Sequence, residues 1–377
     1  MYTITKEDIY NLHDADLRNL IGYLCVAELE AAGESPVGIT YGGNQDATDG
    51  GVDVRVTRTK EVQVDGSFVP RKQTVLQVKK PKMTPATIKN EMLHNGVLKD
   101  SIMELQQNSG AYIIVSSKDD CTDTMLKNRK AAMQECIGQF KNIFIDFYDC
   151  SRIATWANLY PSAVIWVCNR LGKTTYAGWQ KYGDWSNSRT QELIHDDAVR
   201  IKKYPYSDNS CFNMLEAIEA IRNLLDAPKN TVRLTGLSGV GKTRLLQALF
   251  DTQIGKNALL QSLAIYTDVG YSPCPEPIHL AETLILNRRR AILLLDNCSA
   301  GYHEKVSEIC QREDSLLSLI TVEYDVREDS PQETHVFNME PASEDVMRSL
   351  LKTVTHKCLT TIFMRLPSIQ MAMRELP

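Results

Sequence analysis

The sequence lacks the features that would mark a membrane-embedded, secreted or zinc-binding protein. It has no apolar run approaching the roughly 18 residues of a transmembrane helix, and its first residues have no signal-peptide character. The ten cysteines form no C-x-x-C pair and the seven histidines form no H-x-x-x-H pair. We therefore expect a cytoplasmic protein with no membrane partner, reduced cysteines, and neither a disulfide framework nor a zinc site.

The sequence also lacks an excess of positive charge. Lysine and arginine number 42 against 47 aspartates and glutamates, for a net charge of −5, so the chain as a whole does not attract nucleic acid. Any contact with DNA has to come from a local basic patch. What is present is an ordinary globular composition, 43% hydrophobic and 24% charged, in 377 residues, which is enough for two or three domains.

One segment carries a strong motif. Residues Gly236–Thr243 satisfy G-x-x-x-x-G-K-[ST], with the apolar strand-like stretch Thr231–Thr235 before them and an amphipathic helical pattern after them. This context predicts a phosphate-binding loop whose backbone N–H groups face phosphate oxygens. Lys242 is expected to reach the β and γ phosphates, and Thr243 to hold Mg²⁺. The predicted nucleotide-binding residues of the loop are Gly236, Ser238, Gly239, Val240, Gly241, Lys242, Thr243 and Arg244.

Two later strands complete the expected nucleotide site. The apolar stretch from Ala291 ends in Asp296, which we expect to hold Mg²⁺ through water, as an acid in this position does in other nucleotide-binding proteins. The next residue is Asn297, where rapidly hydrolysing ATPases usually have a second acid, so slow turnover or a bound-state switch is expected. In the following strand, Thr321 is predicted to face the γ-phosphate, and Glu323 replaces a commonly found arginine.

The N-terminal region begins with a helical pattern over residues 14–32. Its apolar stripe contains one carboxylate, Glu28, which we expect to be buried and therefore to need a lysine or a metal as partner. Glu30 falls off this stripe and is expected to be solvated.

Two strand-like segments follow, Gly50–Val56 and Thr74–Pro81, with the turn signal Asp65-Gly66 between them. A tight hairpin at that turn places Asp53 opposite Val78. The side chains of Asp53, Gln77 and Lys79 then converge only if the hairpin contains a bulge or if its register is shifted by one residue.

The rest of this region predicts a parallel α/β core. Residues 110–117 and 142–148 have strand patterns, and residues 122–137 between them have a helical one. The lysine-rich stretch 79–99 is either a patch that follows DNA phosphates or a solvated helix face. The four tryptophans, all between 156 and 185, are expected to pack inside the domain.

Asp53, Gln77 and Lys79 resemble the core of the PD-(D/E)-x-K nucleases, and the Gln-x-Lys form is similar to the Mrr-type branch of that superfamily. The resemblance implies that Glu28, Asp53 and Gln77 hold Mg²⁺ and that Lys79 polarises or deprotonates the attacking water. Carboxylate and amide oxygens are suitable ligands for this ion. Gln77 departs from the commoner acid at its position.

The C-terminal part, from about residue 205, resembles the STAND NTPases, the class that includes plant NB-ARC proteins. The loop motif, Asp296, the Leu-Ile-Thr-Val strand and the segment Arg365–Ala372 carry this resemblance. It implies that Pro367 contacts the adenine or ribose of ATP. The combination of both regions is similar to the antiviral Avs group. That similarity implies a phage protein as trigger, recognised by a sensor absent from this chain, ATP-driven tetramerisation, and cleavage of double-stranded DNA.

The expected fold is therefore α/β, with a restriction-endonuclease-like domain followed by a P-loop STAND domain. The predicted boundaries are a nuclease domain at 1–180, a linker at 181–210, an NTPase domain at 211–338 and a small helical module at 339–377, with the chain being part of a longer protein. Two alternatives stay open. One is an ATP-dependent, modification-sensing restriction endonuclease, and the other is a nucleotide-switched scaffold that no longer cuts.

Overall fold

The structure is a computed structural model that describes residues 2–41, 52–62, 64, 66–138, 142–186, 200–204, 211–324 and 334–341. It divides into two compact units. The first contains residues 1–186, 260–293 and 313–317, and the second contains residues 187–259, 294–312 and 318–377. Both units mix helices with sheet strands, so the predicted α/β class is confirmed.

The helices of the first unit are α1 (Lys6–Asn11), α2 (Asp14–Ala31), α3 (Pro85–Met92), α4 (Asp100–Gln107), α5 (Asp123–Ile137), α6 (Cys150–Ala157), α7 (Pro161–Arg170) and α10 (Pro277–Leu286). Its strands are β1 (Ile39–Tyr41), β2 (Val54–Thr57), β3 (Gln73–Lys79), β4 (Leu93–His94), β5 (Val97–Leu98), β6 (Ala111–Ser116), β7 (Phe144–Tyr148), β8 (Trp179–Lys181) and β12 (Ala264–Asp268).

The main sheet of the first unit has the order β1-β2-β3-β6-β7. The β1, β2 and β3 strands pair antiparallel, whereas β3, β6 and β7 run parallel, which agrees with the parallel core expected from residues 110–148. An apolar cluster that includes Val75, Ile88, Tyr112 and Met133 joins one face of this sheet to α3 and α5. The central strands β3 and β6 are nearly continuous in buried residues, as is usual for strands covered on both faces.

Local signals explain where the helices begin. Thr122 caps α5 by accepting a hydrogen bond from the N–H of Met125, so the helix begins at Asp123, one residue inside the predicted range. The apolar stretch at residues 154–172 contains the end of one helix, α6, and the whole of another, α7. Pro161 occupies the first turn of α7, where its missing N–H is harmless, and this explains the break. Trp156, Trp166 and Trp179 are buried, as predicted.

The second unit contains the helices α8 (Met214–Asp226), α9 (Lys242–Ala248) and α11 (Ala300–Cys310). Its strands are β9 (Ile201–Tyr204), β10 (Cys211–Phe212), β11 (Thr231–Thr235), β14 (Leu317–Val322) and β15 (His335–Met339), and it also contains the second half of β13 (Ala291–Asp296). They lie in the order β10-β9-β15-β11-β14-β13. β11 is central and parallel to both β14 and β15, so the carboxyl ends of these strands meet at one edge.

Part of the predicted linker belongs to this sheet. Residues 201–204, within the range 181–210, form β9, which pairs antiparallel with β15 and with β10. The polar composition of this stretch concealed the strand because two of its four residues are lysines. Residues 187–199, 205–210 and 342–377 lie outside the described residues, and so does most of the predicted helical module. Across the part of the chain that the structure describes, no helix has both the length and the apolar character needed to cross a membrane.

Candidate functional site

The loop Gly236–Thr243 connects β11 to α9, as its motif predicts. Gly236 has φ of 144°, and a Cβ atom there would lie 2.4 Å from the carbonyl oxygen of Met339. Gly241 has φ of 105° and precedes the first residue of α9. Both positions therefore require glycine, the first because of the close approach of β15 and the second because of its backbone conformation.

The two polar residues that follow the glycines are held in defined positions. Lys242 Nζ donates hydrogen bonds to the carbonyl oxygens of Gly236 at 2.8 Å and Leu237 at 2.7 Å, which folds its ammonium group into the loop. Burial lowers the pKa of Lys242, and Asp296 opposes this effect. Thr243 Oγ1 donates to Asp296 Oδ2 at 3.0 Å. Asp296 ends β13, so the structure brings together the predicted pair from two distant parts of the chain.

A cavity of about 380 Å³ adjoins these groups. Its lining comprises Ser238, Gly239, Gly241, Lys242, Thr243, Arg244, Asp296, Asn297, Val322, Glu323 and Tyr324. Six of the predicted loop residues and Asp296 are therefore on its wall. Gly236 and Val240 belong to the loop but not to the wall, and Pro367 lies outside the described residues. We name this cavity with its lining residues the loop site.

Thr321 does not face the loop site, contrary to the expectation from the sequence. It is fully buried, and its hydroxyl is 2.7 Å from Nδ1 of His303 on α11. The wall is formed instead by Val322, the last residue of β14, and by Glu323 and Tyr324 after it. Glu323 was expected only as the replacement of an arginine.

Two arginines that belong to no motif support the loop and its helix. Arg200, within the predicted linker, donates to the carbonyl oxygen of Val240 and to those of Glu340 and Pro341. Arg222 of α8 is buried and donates to five backbone carbonyls around the end of α9, those of Ala248, Leu249, Asp251, Ile254 and Lys256. Neither contact has a local sequence signal, because the acceptors are main-chain atoms.

In the first unit, the register of β2 and β3 decides which side chains meet. Val54 pairs with Leu76, which is one residue away from the register that a tight hairpin predicts. The turn itself is present, since Ser67 N donates to Val64 O, but Asp65 lies outside the described residues. The one-residue difference in register arises in the irregular residues between the paired strands and this turn. Extending the observed pairing by one residue places Asp53 opposite Gln77. A shifted register is one of the two conditions under which the side chains of Asp53, Gln77 and Lys79 were expected to converge.

Asp53 lies at the carboxyl end of β3. Its Oδ2 accepts a hydrogen bond from Val78 N at 2.8 Å, and its Oδ1 lies 3.7 Å from a guanidinium nitrogen of Arg18 on α2. The side chains of Gln77 and Lys79 lie on the same face of β3, because they are two residues apart. Lys79 Nζ is 3.1 Å from Oε2 of Glu91 on α3. We name Asp53, Gln77, Lys79 and Glu91 the strand-end cluster.

Gln77 has the most unusual environment in this cluster. Its side chain is 3% exposed, and among the described residues its Oε1 has no hydrogen-bond partner. A buried amide oxygen without a donor is destabilising by about 1–3 kcal/mol, so such an atom calls for an explanation. A cation or its bound water at the cluster would satisfy it.

Glu28 is not part of the strand-end cluster. Arg18, near the start of α2, contacts Asp53, which precedes β2. Glu34, just beyond the end of α2, pairs with Arg58, which follows β2. Glu28 is ten residues beyond Arg18, about 15 Å along the helix. Its two carboxylate oxygens instead accept hydrogen bonds from Ser67 at 3.1 Å and Tyr160 at 3.0 Å.

The expected environments of Glu28 and Glu30 are reversed. Glu28 is partly exposed, while Glu30 is 6% exposed and accepts bonds from the main chain of Gln261 and from the main chain and hydroxyl of Ser262. Burial raises the pKa of Glu30, and the bonds from Ser262 and Gln261 partly offset this. The prediction that Glu30 is solvated was wrong, because segment 260–263 covers the helix face that the local pattern assigned to solvent.

The lysine-rich stretch 79–99 is largely engaged in ion pairs. Lys79 and Lys99 contact Glu91, and Lys89 contacts Glu135 on α5. Lys82 instead lines a cavity of about 520 Å³ at the carboxyl end of β6, together with Lys6, Lys118 and Arg129 and with the acids Glu7, Asp119 and Asp120. Neither of the two interpretations of this stretch accounts for all its lysines.

The donor set of the strand-end cluster fits Mg²⁺ in part. The Asp53 carboxylate and the orphan Gln77 oxygen are hard oxygen ligands, and Mg²⁺ in proteins commonly keeps several waters beside one or two carboxylates. Glu28, expected as the third ligand, is elsewhere. In the described part of the chain, no group of three or more histidine, cysteine, aspartate or glutamate side chains is arranged to hold a metal ion.

Comparison with known proteins gives no family for this chain. No protein-family model matches it, and no curated protein matches its sequence.

Proposed function

We propose that the second unit binds ATP with Mg²⁺ at the loop site. The observation that carries this proposal is the contact between Thr243 and Asp296, which pairs the last residue of the motif with the acid of a separate strand. A Thr hydroxyl beside a carboxylate at the rim of a phosphate loop is the arrangement that holds Mg²⁺ in nucleotide sites. Lys242, now bonded to loop carbonyls, would exchange these for phosphate oxygens.

We propose further that the first unit is a Mg²⁺-dependent DNA endonuclease that cuts double-stranded DNA at the strand-end cluster. Asp53 and Gln77 would hold the ion, which supplies charge stabilisation at the scissile phosphate. Lys79 would orient the attacking water and stabilise the charge that develops on phosphate oxygens. The orphan oxygen of Gln77 and the neighbouring carboxylate of Asp53 support this proposal over an edge hairpin of solvated polar residues.

Together these proposals describe a nucleotide-gated DNA-cleaving protein of the kind that the sequence resembles, an Avs-type antiviral STAND NTPase of the cytoplasm. In this proposal a phage protein acts as trigger, and ATP binding drives assembly into a tetramer. The tetramer then activates the nuclease, and ATP turnover resets it.

The test of the nuclease proposal is plasmid degradation in the presence of Mg²⁺ and ATP by chains held together as an oligomer, which replaces the trigger. Wild-type protein is compared with Asp53→Ala and Lys79→Ala, and Glu61→Ala, an exposed acid of the same unit, serves as the matched control. We expect cutting by the wild type and the control and at least a roughly 100-fold loss in the two cluster variants, the size of a lost acid–base or charge-stabilising group.

Equal cutting by all four proteins would remove the assignment of the strand-end cluster. ATP binding without cutting, even when the chains are held together as an oligomer, would favour the non-cutting scaffold. ATP hydrolysis that DNA stimulates strongly would favour the modification-sensing restriction enzyme.

A further inference from the structure

The loop site contains a second carboxylate that the motif does not include. Of the described residues that line the cavity, only Asp296 and Glu323 carry carboxylates. Asp296 accepts a hydrogen bond from Thr243, and both residues are proposed to hold Mg²⁺. Glu323 comes from the end of the neighbouring strand β14, and its side chain is 15% exposed.

The structure places Glu323 beside the position where the sequence has no acid. Cys298 N donates to Val322 O at 3.0 Å, which ties the residue after Asn297 to the residue before Glu323. Asn297 and Glu323 are therefore neighbours on the cavity wall, although they are 26 positions apart in the sequence. The end of the adjacent strand thus supplies a carboxylate to the same wall as Asn297.

A buried arginine holds this carboxylate from behind. Arg233 of β11 is almost fully buried, and its guanidinium forms an ion pair with Oε2 of Glu323. Arg233 does not line the cavity, whereas Glu323 does. No described residue donates a hydrogen bond to Oε1 of Glu323, so one oxygen is fixed and the other can accept a bond from water in the cavity.

We infer that Glu323 is the general base for ATP hydrolysis at the loop site, an inference that rests on the proposed binding of ATP. The oxygen of a water molecule bonds to the γ-phosphorus, and the bond from that phosphorus to the β–γ bridging oxygen breaks. The electron pair of the broken bond leaves with ADP. The proton of the water passes to the Glu323 carboxylate and then to the released phosphate or to solvent, so the carboxylate is regenerated.

The alternative is that Glu323 only neutralises Arg233. A buried guanidinium without a partner is strongly destabilising, so this structural role has to be separated from catalysis. A variant that removes the charge of Arg233 makes this separation. In a structural role Arg233→Met and Glu323→Gln would have similar effects, whereas in a catalytic role only the loss of Glu323 abolishes turnover.

The experiment measures ATP affinity by equilibrium titration and the rate of ATP hydrolysis in single turnover, using the 377-residue chain. The proteins are the wild type, Glu323→Gln, Arg233→Met and the double variant Arg233→Met/Glu323→Gln. We expect Glu323→Gln and the double variant to bind ATP within about threefold of wild type and to hydrolyse it at least about 100-fold more slowly. Arg233→Met should hydrolyse ATP within about tenfold of wild type. The double variant replaces both members of the ion pair by neutral side chains, so it tests the carboxylate if Glu323→Gln alone does not fold.

Hydrolysis by the double variant within about threefold of Arg233→Met would overturn the inference. So would an equal loss in Arg233→Met and Glu323→Gln, and so would a wild type that binds ATP without hydrolysing it. Failure of the wild type to bind ATP at all is a different result, since it removes the proposed nucleotide site itself.

Discussion

The loop site and the strand-end cluster differ in how their residues are distributed along the chain. In the loop site, Gly236–Arg244 are consecutive, so the backbone itself brings the lysine and the threonine to one cavity. In the strand-end cluster, Asp53 precedes one strand, Gln77 and Lys79 end another, and Glu91 comes from a helix. The geometry of a contiguous motif is set by its own backbone, whereas the geometry of a dispersed site depends on strand register and helix direction.

The largest expected effect tests the contiguous site. Lys242→Ala should weaken ATP binding roughly 1,000-fold or more, because it removes the ammonium group expected to meet the β and γ phosphates. Equilibrium titration with a fluorescent ATP analogue measures the affinity. Lys256→Ala, an exposed lysine of the same unit, is the control and should bind normally. Unchanged affinity in Lys242→Ala would contradict the assignment of the loop.

The next effect concerns the core beside the loop site. His303 is buried between the hydroxyls of Thr321 and Thr334, and burial, with a contribution from Arg233, lowers its pKa to about 4. The unfolded chain binds a proton at about pH 6.5 and the folded chain does not, so stability falls as the pH drops from 6.5 to 4. The loss should reach about 3 kcal/mol at pH 4.

Urea unfolding of the wild type and of His303→Gln across this pH range measures the effect. The variant should lose less stability on acidification, while His279→Gln, at an exposed histidine, should keep the wild-type slope. Identical slopes in all three proteins would show that His303 titrates normally.

A comparison of two glutamates tests the dispersed site. Glu30→Ala leaves donors of Gln261 and Ser262 without acceptors in a buried position, so we expect it to lower the free energy of unfolding by about 2–3 kcal/mol. Glu28→Ala should lower it by about 1 kcal/mol, since its partners are partly exposed. Chemical unfolding compares the two.

Measuring DNA cleavage by Glu28→Ala then tests whether Glu28 takes part in the nuclease site. Glu28→Ala should cut within about threefold of wild type, because its carboxylate bonds to Ser67 and Tyr160 and lies about 15 Å along α2 from the residue that contacts Asp53. A loss as large as that in Asp53→Ala would return Glu28 to the proposed metal site and would require α2 to move.

The smallest effect concerns Thr321. Thr321→Val should leave ATP affinity within about twofold of wild type and lower stability by about 1 kcal/mol, the value of one hydrogen bond to His303. Binding and unfolding measurements on the same samples distinguish this from a sensor role, in which affinity for ATP would fall while stability stayed constant.

The same contrast explains which features could be predicted from the sequence. The strands 111–116, 144–148 and 291–296 and the helices 14–31 and 123–137 agree with their patterns within a few residues, because periodicity and capping are local. The pairing of Thr243 with Asp296 was also predictable, since parallel strands bring their carboxyl ends to one edge.

The remaining features depend on contacts between distant segments. The burial of Glu30 follows from residues 260–263, which lie more than 200 positions away, and the approach of Glu323 to Asn297 follows from the pairing of strand ends. The Arg200 contacts are likewise made to main-chain atoms that carry no side-chain signal. Composition and spacing contain no information about such pairings.

Arg222 has a consequence for how this protein can change through evolution. All five carbonyl acceptors of its guanidinium belong to the main chain of residues 248–256, so the anchorage does not depend on which side chains that segment carries. Substitutions can accumulate there without loosening the far end of the helix that begins at Lys242. Arg222 itself has no substitute, because no other side chain offers five donors in one plane. Among diverged descendants of this chain, we therefore expect one invariant arginine facing a segment of variable sequence.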